Sequence, residues 1–346
     1  MWLRRAYDTG FCVTFARAVG ERELLARMGV EPRRIRRLDE VDAAEMDLSP
    51  DHGFGPMVRT GRSGAWTFAI ETGGGAEGVR PVVVRRAAAT GEAVALSVNV
   101  NALAQLVVAD HGRIVTELDP YRPEERSGAE PDRLLPFLRA VGLGQGEEPS
   151  NPPAAMLALA ETAFNLTLDG AALTGPLPGG PITPLLDELE APTGSSWVPD
   201  PVEALPEDPE FARRLAAATE DRLRPALADQ TARLAADVGL SRRRAVVHVL
   251  TAIRSGEMLP TDNDSEFGWL LRRLSADARS VRLAGYTPHD QERQLVDGRV
   301  RAAYALLTAV SSPAWYGLVR VMRESATPAV YLASLRAAAE EALSGA

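Results

Sequence analysis

Glu71, Glu117, Asp119, Glu124, Glu125 and Arg126 are the side chains of this sequence that point to acid–base or anion chemistry without a cofactor. Carboxylates whose pKa values are driven apart by their surroundings can divide general-acid and general-base roles, and that chemistry needs no fixed sequence spacing. Arg126 adds a planar guanidinium suited to clamping an anion. A carboxylate-based hydrolase is therefore one function the residues allow.

Other chemistries are excluded by residue type. All 38 basic side chains are arginine and none is lysine. A phosphate-binding P-loop, the strand lysine of a protein kinase, the S-x-x-K nucleophile and every Schiff-base reaction need a primary amine that this chain lacks. Cys12 is the only cysteine, so no intrachain disulfide and no multi-cysteine zinc site can form. It stands in the apolar run Phe11–Phe15 and reads as a buried structural thiol. The histidines are His52, His111, His248 and His289, with no HExxH spacing. No metal site and no cofactor are predicted.

Three short segments imitate known sites and fail on detail. Gly61-Arg62-Ser63-Gly64-Ala65 approaches a nucleophile elbow, but Ala65 replaces the second glycine and a strand follows where a helix is needed. The Gly73–Gly78 stretch offers bare amides that could cradle a phosphate, yet no Lys, Ser or Thr follows in register. It reads as a flexible loop. Asp262–Glu266 resembles the start of a calcium loop, but Phe267 and Arg273 occupy the required Gly and Glu positions. It reads as a turn between helices with an N-cap at Ser265.

The elements that would position these residues fall into two classes. Before residue 175 the pattern mixes strands and helices. Strands are predicted at Phe11–Arg17, Ala65–Glu71, Ala93–Val100, Gln105–Ala109 and Arg113–Asp119, the last two joined by the hairpin signal Asp110-His111-Gly112. Helices are predicted at Glu21–Met28, Pro81–Ala89, Pro131–Val141 and Pro153–Phe164. Alternation sets Trp66, Phe68 and Ile70 on one face, with Val98 and Val100 on the same face of a neighbouring strand. Trp66 and the Asn99-Val100-Asn101 stretch are expected side by side. Asn is poor in strands, so its repetition at Asn99 and Asn101 marks either a polar recognition surface or a capped strand end.

Nine prolines between Gly175 and Pro209 indicate an extended linker. Beyond it only helices are legible, at Pro209–Val238, Ser241–Ser255, Ser265–Asp277, Asp290–Val310, Pro313–Ser325 and Pro328–Leu343. The fold class is α+β: an antiparallel sheet covered by helices over 1–174, a linker over 175–209 and an all-α domain over 210–346.

A helix, the Gly239 turn and a second helix opening on Arg242, Arg243 and Arg244 form the pattern of a helix-turn-helix recognition element. Two antiparallel bundle helices produce the same pattern. The net charge of −9 argues against a nucleic-acid partner. If the three arginines pair with Asp221, Asp229 or Asp237, they cannot enter a groove. No 18-residue apolar run spans a membrane and no secretory h-region follows Met1–Arg5, so a cytoplasmic location is expected.

Phe11-Cys12-Val13-Thr14, Glu23-Leu24-Leu25, Trp66–Glu71, Ser97-Val98-Asn99-Val100-Asn101-Ala102, Asp110-His111-Gly112 and Asp119-Pro120-Tyr121-Arg122-Pro123 with Arg126 together resemble an actinobacterial domain-of-unknown-function family, number 6461. The resemblance spans roughly 2–175 and implies no activity or cofactor. The leading expectation is a non-enzymatic binding or regulatory protein with a protein partner. Its binding candidates are Trp66, Asn99, Asn101, Asp119 and Arg126, and its helical half acts as a scaffold.

Overall fold

The computed structural model describes residues 10–47, 56–72, 75–99, 101, 103–143, 151–166, 168, 173–187, 198–283, 291–325 and 330–344. Met1–Arg5, His52, Gly73, Gly74, Val100, Ala102, 188–197, His289 and Asp290, the first residue of an expected helix, lie outside them. The chain divides into two compact units, Met1–Leu185 and Leu186–Ala346.

The first unit is built on one eight-stranded antiparallel sheet. Its strands are β1 (Gly10–Arg17), β2 (Arg36–Leu38), β3 (Met57–Ser63), β4 (Trp66–Glu71), β5 (Glu92–Asn99), β6 (Ala104–Asp110), β7 (Arg113–Leu118) and β8 (Leu177–Pro181). They lie in the order β2-β8-β3-β4-β1-β5-β6-β7. Helices α1 (Glu21–Arg27), α2 (Glu40–Asp47), α3 (Pro81–Ala87), α4 (Leu135–Ala140) and α5 (Pro152–Phe164) complete the unit.

Both faces of the sheet are covered. Phe15, Trp66, Phe68, Ile70 and Leu96 pack with Leu138 of α4 and Met156 of α5. The opposite face carries small and polar residues, so helices approach closely: Ala16, Ala69 and Ala95 lie with Leu24 of α1 and Val83 of α3. Buried hydroxyls on that side find carbonyls, Thr67 donating to Val19 at 2.6 Å and Thr14 to Gly78 at 3.2 Å. The Asp110-His111-Gly112 hairpin forms as expected, with φ of 45° at His111 and 77° at Gly112, the positive values a tight two-residue turn requires.

Trp66 and Asn99 are not neighbours. β1 lies between β4 and β5, and Trp66 pairs with Arg17 at one end of β1 while Asn99 pairs with Gly10 at the other. The face assignment holds for Val98, which packs with the Trp66 cluster. Alternation fixes which face a side chain takes, but strand order depends on long-range pairing.

The proline-rich segment is not simply a linker. Leu177–Pro181 is β8, paired with β2 on one side and β3 on the other. A side chain at Gly179 would meet the Val58 carbonyl oxygen at 2.6 Å, which explains glycine in this strand. Ile182 and Leu185 continue into the core beneath. Residues 201–204 and 209–217 are helices of the second unit. Limited proteolysis, followed by mass mapping of the fragments, is therefore expected to leave Leu177–Pro181 and Pro209–Ala217 uncut while the units stay folded.

The regular structure of the second unit is all helical among the described residues: α6 (Pro201–Ala204), α7 (Pro209–Ala217), α8 (Glu220–Asp237), α9 (Arg244–Ser255), α10 (Glu266–Leu283), α11 (Gln291–Ser311), α12 (Ala314–Ser325) and α13 (Tyr331–Ser344). The helix expected over Pro209–Val238 is two helices, because Ala218 and Thr219 take extended backbone angles. Ser265 caps α10 as predicted, accepting from the Gly268 amide at 3.0 Å. Among the described residues no helix is long and apolar enough to cross a membrane.

Candidate functional site

Antiparallel register assembles a polar row across the helix-covered face of the sheet. Cys12 on β1 is the partner of Glu71 on β4 and, on its other side, of Ser97 on β5. Ser97 is in turn the partner of Gln105 on β6. Paired residues in an antiparallel ladder point to the same face, so the four side chains stand abreast. Gln105 extends the row to β7 by donating from Nε2 to Glu117 Oε1 at 2.6 Å.

One half of this row is sealed. Glu71 is 1% exposed, and its carboxylate accepts the Gly78 amide at 2.5 Å and the Glu77 amide at 3.1 Å. The glycine-rich segment thus does cradle an anion with bare amides, but the anion is the protein's own Glu71. Burial pushes the Glu71 carboxyl up to about 7, against the opposing pull of the Cys12 thiol and the two amides. Burial and the adjacent carboxylate also raise the Cys12 thiol well above its ordinary value, so it stays a hydrogen-bond donor and is no nucleophile.

The loop fits only because it is glycine. A Cβ on Gly78 would stand 2.4 Å from Thr14 Oγ1, 2.8 Å from Glu71 Oε1 and 3.0 Å from Cys12 Sγ. Gly78→Ala is expected to destabilise the first unit by about 1–3 kcal/mol, the range for forcing a methyl group into a packed interior. Urea unfolding of the full chain would show it as a lower midpoint at unchanged slope in the transition of that unit.

The other half of the row opens as a groove of about 450 Å³. Ser97, Asn99, Gln105, Glu117 and Asp119 line it, and Gly75 and Ala76 form the wall shared with the Glu71 cradle. Ser97 is only 9% exposed, and its hydroxyl has no hydrogen-bond partner among the described residues.

The residues singled out from sequence are distributed as follows. Asn99 lines the groove, but its Oδ1 accepts the amides of Asn101 and Leu103 at 2.9 and 3.0 Å and so closes the β5–β6 turn. Asn101 is exposed beside it. Asp119 also lines the groove and caps a turn through the Tyr121 amide at 2.9 Å, while Arg122 bridges it to Glu125. Glu124 is exposed. Arg126 is engaged by Asp132 and by the Pro123 carbonyl, so its guanidinium is already satisfied within the fold.

Trp66 departs from expectation. It is 3% exposed, edge-on to Phe15 and Phe164, with the Arg17 guanidinium 4.3 Å above its ring. It belongs to the apolar core and offers no recognition surface. Ser97 and Gln105 were missed as site residues because an isolated Ser and Gln carry no signal until register aligns them.

In the helical unit Arg242, Arg243 and Arg244 are exposed. Arg244 lies 3.5 Å from Glu266, which also meets His248 at 2.9 Å. The charge partner comes from α10, and not from Asp221, Asp229 or Asp237 on the preceding helix. Arg243 faces Asp277 together with Arg299 and Arg273, although burial outweighs the three arginines and raises the Asp277 carboxyl. Among the described residues no group of three or more His, Cys, Asp or Glu side chains is placed to hold a metal ion.

The first unit is thus an α+β domain with a sealed carboxylate cradle beside an open polar groove. The chain belongs to a family of unknown function, DUF6461, whose model matches residues 1–174 of the 346. Among curated proteins and among solved structures, nothing matches.

Proposed function

We propose that the protein is a non-enzymatic binding protein whose α+β unit recognises a protein partner through the groove of Ser97, Gln105 and Glu117. The helical unit acts as its scaffold, and the whole operates in the cytoplasm. The observation that carries this reading is the division of the polar row. The side chain with the acid–base character of a catalyst, Glu71, is walled off behind Gly75 and Gly78, whereas the described residues of the accessible half are hydrogen-bonding groups with no activated nucleophile among them. Hydrolysis through Asp119, Glu125 and Arg126 is disfavoured because each is engaged in a turn or an ion pair. The reading of Arg242–Arg244 as a DNA-recognition helix gains no specific support, since Arg244 already has an acidic neighbour.

The test is affinity capture from native lysate with the full chain and with a Ser97→Ala/Glu117→Gln variant, followed by cross-link mapping. A protein retained by the parent, lost by the variant and cross-linked near Leu103 is the expected result. Equal retention by both chains, or recovery of a small molecule that the protein turns over, refutes the proposal. Duplex DNA at low salt provides the third arm. Salt-sensitive binding abolished by replacing all three arginines with alanine would favour the nucleic-acid reading instead.

A further inference from the structure

We infer that the groove is a guanidinium site: the β5–β7 end of the polar row takes a planar, multiply N–H-bearing organic cation such as an arginine side chain. This inference deepens the reading of the groove as the binding site and rests on it.

Three acceptors on adjacent strands carry the argument. Glu117 is half-buried on β7 and has no cationic partner among the described residues; it is held only by neutral donors, Gln105 at 2.6 Å and the Ser127 hydroxyl at 3.4 Å. A carboxylate partly removed from water without a counter-charge favours a cation beside it. Because that carboxylate only accepts, the Gln105 amide must present its nitrogen to Glu117. The carbonyl oxygen of Gln105, which lines the groove, is left as a second acceptor with no partner among the described residues. The third is the hydroxyl of Ser97, a residue nine-tenths buried, which has no hydrogen-bond partner among the described residues.

The geometry selects among cations. Neighbouring strands stand about 4.8 Å apart, so the acceptors of β5, β6 and β7 are spread across the sheet and not gathered at a point. An ammonium is a compact point charge, whereas a guanidinium distributes five N–H donors over a rigid plane and reaches acceptors on adjacent strands together. Asp119 and Glu125 add negative potential at the rim, partly offset by Arg122 between them. Among the described residues no arginine lines the groove, so none of them already fills the role. Arginine-bearing segments of a partner protein and free arginine share this chemistry.

The test uses the full chain with four probes: free L-arginine and capped Gly-Arg-Gly, Gly-Lys-Gly and Gly-Gln-Gly peptides. Binding is read by amide chemical-shift changes at Ser97, Leu103 and Gln105. The expected result is that Gly-Arg-Gly binds at least tenfold tighter than Gly-Gln-Gly and severalfold tighter than Gly-Lys-Gly. Glu117→Gln should remove that preference without moving the thermal midpoint, and Ser97→Ala, a milder change, should weaken it in the same direction. Free arginine binding as tightly as the peptide identifies a small-molecule source for the same chemistry; tighter peptide binding identifies a protein segment. Equal binding of Gly-Arg-Gly and Gly-Gln-Gly at these amides overturns the guanidinium inference and leaves the groove as a binding site. Arginine preference that survives Glu117→Gln overturns it too. No shift at these amides with any probe, together with loss of partner capture, defeats both readings.

Discussion

A chain ending at residue 174 is expected to fail to fold, whereas one ending at residue 187 gives a single cooperative unfolding transition. The shorter chain matches the extent of the family model but lacks β8, which lies between β2 and β3 in the sheet. Its removal leaves one edge of Met57–Arg59 without a neighbour, the other still paired with β4, and detaches Arg36–Leu38 from the sheet altogether. It also removes Ile182 and Leu185, both nearly fully buried. Deleting one buried aliphatic side chain costs about 2–5 kcal/mol, so these two alone approach the 5–15 kcal/mol of a typical domain's stability, in round order of magnitude. Urea unfolding followed by circular dichroism compares the two fragments directly. Coincident transitions would show that β8 is an accessory strand and that the unit ends where the family match ends.

The second large effect is a dependence of stability on pH that runs opposite to that of most carboxylates. Glu71 is held at about 7 in the fold, against about 4.5 when exposed. The folded state therefore binds a proton that the unfolded chain has released. The stabilising contribution is complete below about pH 4.5, fades as pH rises through 7 and is lost above it. At about 1.4 kcal/mol per unit, the rise amounts to about 3 kcal/mol between those limits. Among the described residues the charged and titratable groups facing Glu71 are Cys12 from β1 and Glu77 from the following turn, the latter paired with Arg80. The thiol stays protonated throughout, so Glu71 is the group that titrates.

Glu71→Gln removes this titration but sets an amide N–H against backbone donors, costing about 1–3 kcal/mol for a buried group left unsatisfied. Unfolding free energies of both chains at intervals from pH 5.5 to 8.5 should give curves that converge as pH rises. Parallel curves would show that Glu71 is ionised throughout this range. Only the difference is diagnostic, because the remaining carboxylates contribute equally to both chains.

Most of the elements that build the first unit are legible in its residues. The alternation in Trp66–Glu71, the glycines after α1 and in the β6–β7 turn, and the proline opening α3 are local signals, and each is found where it predicts. β3 escapes this reading because Arg59 and Gly61 break its apolar pattern. Both are buried, Arg59 with its guanidinium on the Leu173 carbonyl at 2.6 Å and Gly61 against the Phe68 ring. β8 escapes for the opposite reason, since its glycines and prolines signal a turn unless two neighbouring strands are already in place.

The sequence by itself determined the fold class, the side of the sheet faced by the residues of the strands whose alternation is legible, and the reaction classes that lysine's absence excludes. Only the tertiary structure decided the order of the strands, and with it the row of Glu71, Cys12, Ser97, Gln105 and Glu117. These residues are separated by as much as 105 positions. They meet because β1 sits between β4 and β5 with Cys12 in register with both Glu71 and Ser97. Periodicity is a property of a few consecutive residues, whereas register across strands is a property of the whole sheet, set by which faces the helices cover and which turns close.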